Sequence, residues 1–334
     1  MKILVTGSTG FIGAALCHAL VQAGHSVRAF QRASSSPRLL AGLPVEPAVG
    51  DLTRPETLAE AMQGIEVVFH AAALLGGGHD QPGRYYAVTV EGTRAVLRAA
   101  LEAGVRRLVH TSSVAALGVP PRLPGRWAAA TPLNEQQTWN FRADRWPYGY
   151  AKYLAELEIQ AAVAAGLDAV IVSPSVVLGA GDIYRQTNSV VVQVARRRLP
   201  MVVEGGLNVV HVQDVVAGHL AAMERGRTGE RYILAHDNVT LAEFIGRIAE
   251  LTNVPAPGVV LPGGLVRRLA RPYSLLEGLL TLPVSAKHFY LAGYHFYYDN
   301  RKSRVELNLD YAHSLDQAIS DAYTWFLEAG SIQA

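Results

Sequence analysis

Four times in the first half of this chain a helical pattern closes on a glycine and an apolar run follows within a few residues. Gly24 stands before residues 27–30, Gly64 before 67–69, Gly104 before 108–110 and Gly166 before 169–172. A glycine just past a helix end lets the chain leave in the left-handed conformation. Helical patterns cover 11–23, 56–62, 85–103 and 148–165, and a further apolar run at 3–5 opens the chain. Strands that alternate with helices build βαβ units, a parallel sheet buried on both faces.

The expected fold is α/β, a Rossmann doubly wound parallel sheet with a smaller, mostly C-terminal substrate-binding lobe. The Rossmann domain is expected over 1–175, with 205–235 returning to it; 176–204 and 236–334 form mainly the lobe. Half of the 334 residues are hydrophobic and 17% are charged. A typical soluble domain carries about 25% charge. Disorder is excluded, and the apolar excess suits a sheet covered on both faces.

The net charge of +2 comes without a long basic run, so nucleic acid is not an expected partner. Arg196, Arg197 and Arg198 read as a solvated helix end. The single cysteine, Cys17, cannot close an internal disulfide and fits a reducing compartment. No run of about 18 apolar residues predicts a membrane span. The chain opens on a strand without a leader pattern, so a cytoplasmic location is expected.

Gly7-Ser8-Thr9-Gly10-Phe11-Ile12-Gly13 sits between the first strand and the first helix. A glycine-rich turn lets backbone approach a pyrophosphate, which the free N–H groups and dipole of the helix N-terminus then favour. Gly7, Thr9, Gly10, Phe11, Ile12 and Gly13 are therefore expected to hold a dinucleotide. The second strand ends at Gln31-Arg32, and no acid occurs between Gly7 and Glu46. An acid there would bond a ribose 2′-OH and repel a 2′-phosphate, whereas a guanidinium can grip the phosphate. NADP(H) is expected over NAD(H), with Arg32 as main contact and Arg38 as helper.

Tyr148-Gly149-Tyr150-Ala151-Lys152 places a tyrosine and a lysine four apart, on one helix face. A nearby ammonium favours the phenolate, which makes Tyr148 a candidate general acid/base. Thr111-Ser112-Ser113 ends the 108–110 strand at the carboxyl edge, where ligands bind in such sheets. A serine hydroxyl there can polarise a carbonyl; Ser113 is the choice and Ser112 the runner-up.

The order TGxxGFIG, Asp51-Leu52, Thr-Ser-Ser, YxxxK and Ser173-Pro174-Ser175 resembles an extended short-chain dehydrogenase/reductase. Residues 27–32 and 229–234 look like the dihydroflavonol-4-reductase and hopanoid-associated epimerase/reductase branch. The resemblance implies a Ser113–Tyr148–Lys152 site, with Lys152 on the nicotinamide ribose and Pro174 and Ser175 beside the nicotinamide. It also implies Asp51 and Leu52 against the adenine, Ala71, Ala72 and Ala73 along the ribose and pyrophosphate, and Thr111 among the cofactor contacts. No metal site is expected, and a homodimer is.

Two positions depart from the family pattern. Thr89 stands where asparagine is usual, so its hydroxyl would have to substitute, and Ser173 replaces an Arg or Asn. The segment 206–214, Gly-Leu-Asn-Val-Val-His-Val-Gln-Asp, lacks the arginine that grips the diphosphate in sugar-nucleotide enzymes, and His211 in it reads as structural. With the Trp-rich insertion at 120–147 (Trp127, Trp139, Trp146) and the aromatics of 289–298, the expected substrate is a neutral, partly apolar ketone, aldehyde or secondary alcohol. The expected reaction is NADPH-dependent carbonyl reduction or its reverse. The alternatives are a sugar or nucleotide-sugar epimerase/dehydratase, and a non-catalytic NADP-sensing protein.

Overall fold

The computed structural model describes residues 1–74, 82–123, 129–183, 189–277 and 286–332. Trp127 of the insertion lies outside them. Six strands run through the first half: β1 (Lys2–Thr6), β2 (Ser26–Gln31), β3 (Glu46–Val49), β4 (Val67–His70), β5 (Arg107–Thr111) and β6 (Ala169–Pro174). After them come β7 (Val176–Leu178), β8 (Val202–Val203), β9 (Gly206–His211), β10 (Arg231–Leu234), β11 (Asp237–Thr240) and β12 (Val260–Leu261).

The helices are α1 (Phe11–Gln22), α2 (Glu56–Ala61), α3 (Pro82–Tyr85), α4 (Gly92–Glu102), α5 (Pro147–Ala164) and α6 (Ser189–Ala195). They continue with α7 (Val212–Arg225), α8 (Leu241–Leu251), α9 (Gly263–Glu277), α10 (Ala286–Tyr290), α11 (Arg301–Glu306) and α12 (Leu315–Glu328). The helical pattern of 85–103 is interrupted: a π-helical stretch, Tyr86–Glu91, joins α3 to α4. Such local widenings recur at functional sites.

The main sheet has seven strands in the order β3-β2-β1-β4-β5-β6-β10, and every neighbouring pair is parallel. The strand order reverses between β1 and β4, the switch point outside which ligands bind in doubly wound sheets. Strand alternation sorts the core into two layers. Ile3, Val5, Val109 and Val172 pack under α1 and α7 with Leu16, Leu20 and Val215. Leu4, Val68, Leu108 and Ile171 face the other way, under α2, α4 and α5 with Leu58, Val96 and Ile159.

A second sheet, β11-β9-β7, pairs β9 antiparallel with β11 and parallel with β7. Helices α6, α8 and α12 cover it through Val191, Phe244, Ile248 and Ile319. Helix α7 and β10 belong to the large sheet, while β9 between them and α6 belongs to the small one. Cys17 is buried in α1, and burial pushes its thiol up to about 12, so it is inert at neutral pH. Arg196–Arg198 lie exposed just past α6. Among the described residues no helix is long and apolar enough to cross a membrane.

Candidate active site

The turn after β1 is fixed by two close approaches. Gly7 adopts φ +70°, and a Cβ there would lie 2.7 Å from the Ala72 backbone. Gly13, in the first turn of α1, would place a Cβ 2.1 Å from the Gly7 carbonyl oxygen. Only glycines let α1 start this close beneath the loop and the loop this close to the end of β4. Gly10 is the N-cap of α1, no side chain caps that terminus, and no acid occupies its first turn. The positive helix end thus points uncompensated at the carboxyl edge of the sheet, a fit for a pyrophosphate. Ser8 is turned inward and donates to the Phe30 carbonyl at 3.1 Å. Thr9 is buried, and Phe11 and Ile12 are half-buried.

Arg32 and Arg38 are exposed beyond the end of β2. Asp51 follows β3; its Oδ1 accepts from the Thr53 N–H at 2.9 Å and the Thr53 hydroxyl at 2.8 Å. Partial burial works against the Asp51 charge, but Thr53, Arg32 and Arg54 together hold its carboxyl below the usual range. Leu52 is buried in the core layer of α2 and α4. Ala71, Ala72 and Ala73 are half-buried along the same edge.

The two serines of Thr111-Ser112-Ser113 separate cleanly. The Ser112 hydroxyl is buried and donates to the Glu156 carboxylate. Ser113 caps a short 3₁₀ turn, accepting from the Ala115 N–H at 3.2 Å, and its hydroxyl is a neighbour of the Tyr148 phenol. Tyr148 enters with Pro147 as the first residue of α5. Its ring meets the buried Tyr85 edge-on, centroids 6.2 Å apart. One turn on, the buried Lys152 donates from Nζ to the Thr111 carbonyl at 2.9 Å.

Burial raises the Tyr148 phenol above its ordinary value, and the neighbouring Ser113 hydroxyl opposes this only in part. The expected lowering by Lys152 is therefore not dominant here. The Lys152 ammonium is drawn back onto the Thr111 carbonyl, and burial brings its own pKa down to about 8, with Glu156 opposing. Tyr148 in this setting keeps its proton at neutral pH.

Residues absent from the sequence reading support this constellation. Glu156 lies eight after Tyr148 on the same face of α5, 2% exposed, and pairs with Arg231 of β10 as well as Ser112. Burial raises its carboxyl, while Arg231 and Ser112 oppose. Extending the four-residue spacing from Tyr148 through Lys152 by one more step would have found it.

Three buried histidines form a seam below. The Thr6 hydroxyl meets His70 Nδ1 at 2.7 Å, and His70 Nε2 meets the Thr93 hydroxyl at 3.0 Å. His219 Nδ1 donates to the Val215 carbonyl at 2.7 Å, so its Nε2 accepts from the Thr111 hydroxyl at 2.8 Å. His110 lies 5.2 Å from His70, ring to ring, and neither of its nitrogens has a hydrogen-bond partner among the described residues. Burial lowers all three, His70 to about 3 and His219 to about 4.

Thr111 thus spends its hydroxyl on His219 and offers Lys152 only its carbonyl. Pro174 is buried; the Ser175 hydroxyl donates to Asn208 Oδ1 at 2.6 Å. Thr89 lies in the π-helical stretch. Its carbonyl accepts from Thr93 at 2.6 Å, and among the described residues its buried hydroxyl has no hydrogen-bond partner, as is true of Ser173. His211 caps α7, contacts Asp321 at 3.1 Å and stacks on His313, a structural role.

Comparison with known proteins places this geometry. Residues 3–235 match the NAD dependent epimerase/dehydratase family. A putative dihydroflavonol 4-reductase of Synechocystis sp. is 37% identical, over 98% of this chain and 95% of its own. Sterol demethylase protein B of Methylococcus capsulatus is 34% identical, over 99% and 100%. The crystal structure of gox2253 superimposes with TM-score 0.86 at 35% identity, covering 99% of each chain. The chain belongs to the NAD dependent epimerase/dehydratase family, and it is an NAD(P)-dependent oxidoreductase of the extended short-chain dehydrogenase/reductase type.

Proposed function

We propose that this chain is an NADP(H)-dependent reductase of ketones or aldehydes that works through Ser113, Tyr148 and Lys152. The observation that carries the reading is the Ser113 hydroxyl beside the Tyr148 phenol at the carboxyl edge of β5, with the Lys152 ammonium one helical turn below. Bound NADPH would supply the hydride to the carbonyl carbon. Ser113 donates a hydrogen bond to the carbonyl oxygen and polarises it. Tyr148, kept protonated by burial, gives its proton to the developing alkoxide. Lys152 holds the nicotinamide ribose, and its charge offsets the phenolate left behind.

Arg32, with no acid between Gly7 and Glu46, supports the preference for the 2′-phosphate. Trp146, Phe296 and Tyr294 form a continuous aromatic wall, with centroids 5.7 Å and 6.0 Å apart along it. Trp146 immediately precedes Pro147 and Tyr148 in the chain, and an aromatic wall beside them supports a partly apolar substrate. The test follows NADPH absorbance over a panel of ketones and UDP-sugars. Consumption with ketones, lost about 10²-fold or more in Tyr148→Phe, is expected. Near-wild-type turnover by that variant, or UDP-sugar conversion without ketone reduction, refutes the reading.

A further inference from the structure

At the far end of the aromatic wall lies a cavity of about 430 Å³, within the usual range of ligand pockets. Five arginines line it: Arg122, Arg145, Arg267, Arg268 and Arg271. Among the described residues no Asp or Glu lines it, and none of the five makes an ion pair with a carboxylate. Five like charges converging repel one another, and an anion between them relieves that repulsion.

Aromatic rings fix three of the guanidiniums. Arg145 stacks over Tyr290 at 4.7 Å; Arg267 and Arg122 lie over Tyr294 at 5.3 Å and 6.0 Å. A guanidinium stacked by its face keeps its in-plane N–H groups for a bidentate oxyanion. Arg267 commits one nitrogen to the Ala292 carbonyl, which further fixes its direction. Arg268 and Arg271 are exposed on α9.

The segment where sugar-nucleotide relatives carry a diphosphate-binding arginine cannot do this work here. Its Asn208 is committed to Ser175 and Asn238, and its His211 to Asp321. We propose that the arginine cavity binds a phosphate-class anion.

The experiment titrates inorganic pyrophosphate calorimetrically into the full chain saturated with NADP⁺, which masks the cofactor's own phosphate contacts. Saturable binding that weakens with added salt is expected. Arg268→Ala and Arg271→Ala, both surface changes that spare the fold, should each weaken it about tenfold or more. Arg98→Ala on α4 should not. Tyr148→Phe should bind pyrophosphate as wild type does, which separates failure of the site from failure of the reaction. Absent binding, or equal binding in the α9 variants, overturns the proposal. So does sedimentation with phosphatidylserine vesicles without pyrophosphate binding, which would make the patch a lipid-facing surface.

Discussion

Lowering the pH from 7 to about 4.5 is expected to cost the folded chain about 5 kcal/mol through His70 and His219 alone. Both rings are fully buried and bonded in neutral form, with folded pKa values of about 3 and about 4. An unfolded histidine titrates near 6.5. Because the fold depresses both values, their contribution is complete above about pH 6.5 and is lost as pH falls toward the folded values. Two units below the unfolded value, each costs about 2.6 kcal/mol at about 1.4 kcal/mol per unit. Total stability of a domain is about 5–15 kcal/mol, so the loss takes about a third of it or more. Urea titration followed by tryptophan fluorescence at both pH values measures the drop. His219→Gln removes one titration while leaving an acceptor for Thr111. It should cost about 1–2 kcal/mol at pH 7 yet shrink the acid-induced loss by about 2.5 kcal/mol. An equal acid loss in wild type and His219→Gln would refute the reasoning.

The buried Lys152, with its pKa near 8, should make kcat/KM fall above about pH 8; a profile flat to about pH 9.5 would show that its charge is not required. Gly13→Ala drives a methyl to 2.1 Å from the Gly7 oxygen, so thermal denaturation should show a loss of more than about 2 kcal/mol, and cofactor titration a weaker complex; an unchanged Tm and affinity would count against the close approach. Arg32→Ala should raise the KM for NADPH about tenfold or more with kcat kept, while NADH kinetics barely move. An equal change for both cofactors would remove Arg32 from the 2′-phosphate.

The parallel sheet was legible because glycine stops and apolar runs are local signals, and each falls beside the strand or helix it announces. The glycine loop and the Tyr148–Lys152 face were legible for the same reason: their spacing is short and the geometry follows from one helix. The histidine seam was not. His70, His110 and His219 come from three distant elements, and strand pairing alone brings the first two face to face across β4 and β5. The arginine cavity was equally hidden. Its five residues span 150 positions from 122 to 271, and no local spacing joins Arg122 and Arg145 to the three on α9. The balance of forces on Tyr148 also escaped the sequence, since spacing gives proximity to Lys152 but not the depth of burial or the carbonyl that draws the ammonium away.

The neutrality of the seam has a consequence for the reaction. Lys152 lowers both His70 and His110 through its charge, and the coupling is reciprocal. A proton placed on either ring would push the ammonium of Lys152 toward its neutral form. Burial already holds that ammonium only slightly above neutral pH, so little further repulsion would discharge it. Hydrogen bonds that fix the neutral ring of His70 therefore protect the charge of Lys152. Glu156 adds to this from the other side: it attracts the ammonium while Arg231 and Ser112 share its charge. Lys152 is thus held charged one turn from Tyr148 by the neutrality of His70 on one side and the carboxylate of Glu156 on the other.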